Sequence, residues 1–352
     1  MRGFLRVLFT LIVIVVVAAL LLVAWLWIAE YRPADVETVA ATAGVKHDLV
    51  QVGETYHIVT LNIGYGGLDR ERDFFMDGGK ESLPESREEV EQNLSGLLSA
   101  LYSQKADLVL LQEVDINSRR SFAIDQAEHF TRGLSMGKAF AYNFKVPFVP
   151  FPFPPIGRVE SGLLTLSNLK VEEAQRISLP NTHGWPIRLA NLKRALLVEY
   201  LPIEGSDQLL VLINLHLEAY TTGEAREKQL DALFTLIKAE YGKGNYVIAG
   251  GDFNANFPGA QDWYPLIGEE IWVPGELRPD DLPAGFSYAC DLSVPTCRSL
   301  DKAYDGNREN HIMYAIDGYV VSGNIKVNGV QTVDLNFQNT DHQPVAMDFT
   351  LQ

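Results

Sequence analysis

The sequence predicts an α/β protein in which sheets pack together with helices outside, preceded by one membrane-crossing helix. Three observations lead there. An uncharged apolar run opens the chain, short apolar strands follow one another in the body, and amphipathic helical patterns interleave with some of them.

From Val7 to Ala29 the chain carries no charge and is rich in Val, Leu and Ile. As a helix this run spans about 34 Å, against a hydrocarbon core of about 30 Å. Arg2 and Arg6 precede it and Glu30, Asp35 and Glu37 follow it. The positive-inside bias therefore puts residues 1–6 in the cytoplasm, residues 7–29 across the cell membrane in a single pass, and the body outside. Trp25, Trp27 and Tyr31 suit an interfacial belt. A cleaved signal peptide is the competing reading, but the run exceeds a signal core and no small-x-small site follows it cleanly. Residues 30–48 read as a polar linker, with Arg32 to Asp48 its polar stretch, and residues 49–352 as one large globular domain.

Within the body, strands are expected at Tyr56 to Ile63, Asp107 to Gln112, Gly162 to Leu166, Ala195 to Leu201, Gln208 to Leu217 and Tyr246 to Ala249. Helices are expected at Glu85 to Tyr102, Ile124 to Leu134 and Gly223 to Glu240, the first behind Pro84 and the last capped by Thr222. The stretch Pro147 to Pro155 holds Phe148, Phe151 and Phe153 among prolines. It is a stiff loop whose rings either tuck back onto the domain or form a lip for lipid or an apolar substrate group.

Composition is that of a compact globular body, with 47% hydrophobic and 21% charged residues. The formal net charge of −16 repels polyanions and disfavours nucleic acid as a partner. Arg119, Arg120, Arg188, Lys193 and Arg194 are the residues able to form a local basic patch. The two cysteines, Cys290 and Cys297, close a small loop and are compatible with either a disulfide or two thiols.

The chemistry resides in polar side chains placed where apolar strands run out. Asn62 follows Ile58-Val59-Thr60-Leu61, and Glu113 follows Leu108 to Gln112. Asn214 and His216 alternate onto one face of their strand. Gly250-Gly251-Asp252-Phe253-Asn254 forms a glycine-permitted turn, and Asp317, Asp341 and His342 come from Ile316-Asp317 and Thr340-Asp341-His342. Each has an ordinary reading alone, as a turn residue, a solvated strand end or a core histidine. Together they supply hard oxygen donors for a cation such as Mg²⁺, a water activator and an oriented imidazole.

The ordered blocks Leu61-Asn62, Gln112-Glu113, Asn214-x-His216-Leu217, Gly251-Asp252-Phe253-Asn254, Ile316-Asp317 and Asp341-His342 resemble the endonuclease/exonuclease/phosphatase superfamily, which includes bacterial neutral sphingomyelinases and pancreatic-type deoxyribonucleases. The last block reads Thr-Asp-His where many members have Ser-Asp-His. The resemblance implies a four-layered α/β/β/α sandwich of two mixed sheets with the site at one rim. It implies Mg²⁺, with Mn²⁺ as a substitute, held by Glu113 with Asn62 and Asp341 nearby. It further implies that Asp252 and Asn254 position or deprotonate the attacking water, that His216 meets the phosphate, and that Asp317 orients His342. Whether His342 or Asp252 takes the proton is left open.

The expected activity is water attack on phosphorus by an anchored phosphodiesterase whose partners are a phosphoester substrate, phospholipid-like by position, and the membrane. An extracellular nuclease, an inositol or sugar phosphate phosphatase and a non-catalytic anchored binding protein are the alternatives. Sequence assigns no oligomeric state, and the loops 69–85, 146–158 and 263–289 carry no readable substrate code. Weaker site candidates are Arg226 and Gln229, on one helix face that reads as solvated, and Tyr142, Asn143 and Arg194.

Overall fold

The computed structural model of the chain describes residues 1–181, 183–220, 223–265 and 272–352. Thr222, the expected helix cap, and residues 266–271 of the 263–289 loop lie outside the described residues.

The chain opens with helix α1 (Arg2–Ile28) and strand β1 (Val36–Thr38), then β2 (Thr55–Asn62), α2 (Arg87–Gln104) and β3 (Leu108–Asp115). Next come α3 (Gln126–Leu134), β4 (Gly137–Val149), β5 (Gly157–Ser167), β6 (Glu173–Ser178), β7 (Ala195–Pro202) and β8 (Leu209–His216). Helix α4 (Gly223–Gly242) leads to β9 (Tyr246–Asp252) and to the later strands Phe286–Ala289, Asp317–Ser322, Ile325–Thr332 and Val345–Leu351.

Two mixed sheets result. The seven-stranded sheet has the order β1, β6, β7, β8, β9, Asp317–Ser322, Phe286–Ala289, and the six-stranded sheet the order Ile325–Thr332, Val345–Leu351, β2, β3, β5, β4. Only β2 with β3 and β8 with β9 pair in parallel within these sheets. A parallel neighbour needs a crossover, and α2 and α4 provide the two.

Alternation along the strands sorts the core into layers. Ile58, Leu108, Leu110, Leu210, Leu212, Ile248 and Tyr319 meet between the sheets. Val59, Leu61, Val109 and Leu111 face outward onto Val90, Leu94 and Leu97 of α2 and Phe130 of α3. On the other side Val211, Ile213, Val247 and Ala249 cover Leu233 and Ile237 of α4. Strands buried on both faces read as continuous apolar runs, which is why these central ones were visible in sequence. Helix α2 begins at a capping box, in which Ser86 Oγ accepts from Glu89 N while the Glu89 carboxylate accepts from Ser86 N.

Two segments depart from expectation, and the open question of the cysteines is answered. Residues 30–48, expected as a polar linker, are laid along the body: Val36 pairs with Ile177, Thr42 bridges Lys138 and Asp48 bridges Leu169. Without this cover β6 would present an open edge. Pro147 lies within β4, tolerated because β4 is itself an edge strand. Cys290 and Cys297 are free thiols.

Glu199 in β7 is 1% exposed and faces the inter-sheet core with Leu197 and Leu201, its Oε2 without a hydrogen-bond partner among the described residues. Burial pushes this carboxyl up to about 8. The folded state thus keeps a proton that the unfolded chain releases above its ordinary pKa of about 4.3. The associated stability is full below that value and is lost as pH rises through about 8. Urea unfolding at pH 5 and pH 8 should show the wild type losing on the order of a few kcal/mol more than Glu199→Gln does. An unchanged pH slope in the variant would refute this assignment.

Candidate active site

The parallel pairs fix where the chemistry gathers. β2, β3, β8 and β9 all end at one rim, and the register sets His216 opposite Asp252 and Asp252 opposite Asp317 on three adjacent strands. From the facing sheet, Val345 pairs with Thr60, so the residues just before Val345 bring Asp341 and His342 beside Asn62. All eight expected site residues, Asn62, Glu113, His216, Asp252, Asn254, Asp317, Asp341 and His342, therefore belong to one rim.

Alternation turns Asn62, Gln112, Asn214, His216, Asp252 and Asp317 inward, in step with the inter-sheet residues of their strands. Beneath the site Gln112 Nε2 donates to Asn214 Oδ1 at 2.8 Å, tying the sheets together across the core. Asn214 Nδ2 in turn donates to the carbonyls of Leu111 and Leu164. These two motif residues position the rim.

Glu113 escapes the alternation. The β3–β5 register shifts between Leu111 and Val114, and Glu113 takes φ +55°, a left-handed conformation uncommon outside glycine. Such a bulge beside functional groups re-aims a side chain, at a backbone cost of order 1–3 kcal/mol. The Asp252 turn has its own requirement: a Cβ on Gly251 would lie 2.0 Å from the Leu215 carbonyl oxygen. Only glycine lets β9 approach β8 closely enough to place Asp252 next to His216.

Asp252 is the centre of the hydrogen-bond network. Its Oδ1 accepts from Asn254 N at 2.8 Å and its Oδ2 from Asn62 Nδ2 at 3.1 Å. The same Oδ2 stands 3.5 Å from His216 Nε2 and 3.8 Å from His342 Nε2. His342 Nδ1 is 2.9 Å from Asp317 Oδ2, which fixes the ring. Thr296 Oγ1 accepts from the Asp317 amide, and Thr340 Oγ1 donates to the Asn62 carbonyl and to Asp341 Oδ1. Threonine supplies the hydroxyl that serine would supply, so the departure in the last block leaves the bond intact.

The electrostatics divide the two imidazoles. Burial, reinforced by the positive fields of Arg194, His342 and Arg120, holds His216 well below its ordinary value, so it is neutral. Burial also opposes charge on His342, but Asp317, with Cys297 and Asp341, outweighs it and raises the ring well above the usual range. Asp252 is pushed up to about 6 by burial and by Asp317. Burial likewise raises Asp341.

The donor chemistry suits a hard divalent cation. Asn62 Nδ2 bridges the carboxylates of Glu113 and Asp252, at 3.3 and 3.1 Å, and Asp341 adds a third acid. Arg120 Nη2 comes within 3.9 Å of Glu113, yet its guanidinium is committed to Asp115 through two 3.0 Å bonds and stacks 3.8 Å from the Tyr65 ring. Carboxylate and amide oxygens at a partly open rim are the ligands Mg²⁺ or Mn²⁺ takes, with water and substrate completing the shell. Two tighter donor groups also occur among the described residues, Asp252–Asp317–His342 and Cys297–Asp341–His342. Both depend on an imidazole that already hydrogen-bonds Asp317.

Other expectations resolve differently. Arg226 and Gln229, read as a solvated face, are buried: Arg226 donates to the carbonyls of Glu218 and Ala219, and Gln229 Oε1 accepts from Glu218 N. They pin the chain just beyond His216, a role without a motif to reveal it. Tyr142 packs edge-on to Tyr31 and the Asn143 carbonyl accepts from Lys193 N, while strand register sets both level with Val114 and Asp115, two strands over from the Glu113 bulge. Arg194 lies 3.6 Å from Glu218 and raises the positive field at His216. Arg120, Asp115 and Tyr65 were not foreseen as a support for the Glu113 bulge, because nothing in sequence joins Tyr65 to Arg120.

The sequence profile described as Endonuclease/Exonuclease/phosphatase family matches residues 59–311, taking in Asn62, Glu113, His216, Asp252 and Asn254. Curated protein sequences give no match. Among solved structures, an endonuclease/exonuclease/phosphatase from Beutenbergia cavernae DSM 12333 is similar at 16% identity and TM-score 0.55, over 84% of this chain and 72% of that one. ANGEL2, described as a 2',3'-cyclic phosphatase, is similar at 13% identity and TM-score 0.53, over 89% and 98%. A humanized D. rerio TDP2 is similar at 17% identity and TM-score 0.52, over 84% and 99%. At these identities the structural likeness speaks to the fold, a sandwich of two mixed sheets with flanking helices.

Proposed function

The chain belongs to the endonuclease/exonuclease/phosphatase family, and on that premise we propose that it is a divalent-metal-dependent phosphoester hydrolase anchored by α1, acting as a phosphodiesterase on phospholipid-like substrates at the outer face of the cell membrane. The observation that carries this reading is the row His216, Asp252, Asp317 set by strand register, with His342 held on Asp317 and Asp341 beside it.

Glu113, Asp341 and Asn62 are the residues that would hold the cation, which when bound supplies Lewis-acid stabilisation of charge on phosphoryl and leaving oxygens. Asp252 is placed to take the proton of the attacking water on Oδ2, and its elevated pKa suits a base working near neutrality. Asn254 fixes that carboxylate through its amide N–H. His342, carrying a proton on each ring nitrogen, donates a hydrogen bond from Nδ1 to Asp317 and presents the Nε2 proton toward the reacting oxygens. Neutral His216 adds an uncharged donor on the opposite flank. Water oxygen bonds to phosphorus, the ester oxygen leaves, and no covalent enzyme intermediate is required.

α1 is long and apolar enough to cross a membrane, and its flanking charges favour an extracytoplasmic body. The reading as a nuclease is disfavoured by the net charge and by the fate of the basic candidates. Arg119 donates to the Pro155 carbonyl, Arg120 to Asp115, and Arg188 and Lys193 pair with Glu30. The test is release of phosphorylated headgroup by the full-length chain reconstituted in phosphatidylcholine and sphingomyelin vesicles with Mg²⁺. EDTA-sensitive release is expected. No release from any lipid, with plasmid DNA nicked or inositol phosphate hydrolysed instead, would move the assignment to those substrates.

A further inference from the structure

The end of α1 is gripped by the body. Leu26 is buried, the Trp25 ring lies 6.5 Å from Phe148 of β4, and Arg32 Nη2 donates to the Trp27 carbonyl. Just beyond, the Glu30 carboxylate, 4% exposed, is shared by Lys193 at 3.0 Å, Arg188 at 3.3 Å and Arg32 at 3.0 Å. With β1 stitched to β6, no free tether separates helix from domain.

Two turns flank this exit, and both expose large apolar side chains. The loop after β4 carries Phe151 and Phe153, 69% and 95% exposed, and the turn Ile187–Ala190 is led by Trp185 and Ile187, 63% and 64% exposed. On a water-facing surface these would be an unexplained cluster. The uncharged run of α1 outlasts the hydrocarbon core by only about 4 Å. Elements that grip Trp25 and Leu26, a turn inside its polar end, must therefore lie at the boundary between acyl chains and headgroups. There aromatic rings are favoured, and the Glu30 carboxylate reaches that boundary already neutralised by Arg32, Arg188 and Lys193.

Topology places this collar on the catalytic rim. β4 and β3 are each antiparallel to β5, so β4 ends where Glu113 lies. β7 is antiparallel to β8, so the turn preceding it lies where His216 lies. Phe151 also meets the Phe75 ring at 5.8 Å, and nearby Asp77 accepts a bond from Tyr220, four residues after His216.

We propose that Phe151, Phe153, Trp185 and Ile187 form a bilayer-inserted collar around the exit of α1 that seats the body rim-down on the membrane, so that substrate reaches the site from the lipid leaflet. The proposal rests on the anchored phosphoesterase reading and sharpens it: the domain is docked in one orientation.

The test uses the full-length chain in phosphatidylcholine vesicles, with Cys290 and Cys297 replaced by serine and one environment-sensitive label introduced at Phe153→Cys or, as a control, at Asp207→Cys. Asp207 lies in the β7–β8 hairpin at the far end of the strands from His216. The label at 153 is expected to shift to the blue and to be quenched by brominated lipid, and the label at 207 to behave as in water. A companion triple variant, Phe151→Ser, Phe153→Ser and Trp185→Ser, is expected to lose about tenfold in turnover of vesicle-borne phosphodiester while keeping its rate on a soluble one. Equal, water-like emission at both positions overturns the seat, as does extraction of the chain by alkaline carbonate. Quenching at 153 together with no turnover of any phosphoester by the wild-type chain, both native cysteines in place, would uphold the seat and sink the catalytic reading.

Discussion

Replacing His342 by alanine is expected to lower kcat for phosphoester hydrolysis by roughly 10²–10⁴-fold, the range for a positioned proton-bearing group. The reasoning starts from Asp317, which fixes His342 Nδ1 at 2.9 Å and, against the cost of burial, keeps the ring charged. A second signature follows from Asp252. The charge on His342 lowers the Asp252 pKa, against burial and Asp317, which raise it to about 6. Activity requires Asp252 ionised, so the wild-type rate should rise with pH through this group. Without His342 the opposing charge is lost, so the acid limb must move to higher pH. Asp317→Asn should share the rate loss in milder form, because the ring remains but is less firmly held and less readily charged. A His342→Ala enzyme with an unaltered pH–rate profile would contradict this coupling.

The second large effect is at Glu113. Glu113→Ala and Glu113→Gln are each expected to cost on the order of 10³-fold in activity and to abolish the heat of Mg²⁺ binding in titration calorimetry. Both keep a side chain at the φ +55° position, so the local backbone requirement is shared and the carboxylate is what differs. The folded state should hold, since Arg120 remains on Asp115 and Asn62 on Asp252. Retained metal binding in both variants would assign the cation to Asp341 and Asp252 instead.

The central strands were legible because they are buried on both faces and end abruptly in polar residues, as at Asn62 and Asp252. Other strands lacked that signal. β6 and the final strand Val345–Leu351 alternate weakly, and Ile325–Thr332 is an edge strand with most of its residues outside the core. Residues 36–38 lack any pattern of their own and become a strand only because β6 offers a partner. At the site, residue types announced the chemistry, whereas arrangement came from register. No spacing rule says that Asp252 faces Asp317, or that Glu113 sits on a bulge propped by Arg120. Arg226 and Gln229 looked solvated because their partners are backbone carbonyls and amides, to which sequence patterns are blind. Phe151 and Phe153 were readable as a possible lip, but Trp185 and Ile187 joined them only through the fold.

The most direct measurement is hydrolysis of a phosphodiester by the full-length chain in ¹⁸O-labelled water, with Mg²⁺ and with EDTA, followed by mass analysis of both products. The account expects chelator-sensitive turnover, absent in Asp252→Asn, that places one ¹⁸O in the phosphoryl product and none in the alcohol. Label in the alcohol, or turnover indifferent to both EDTA and Asp252→Asn, would contradict it.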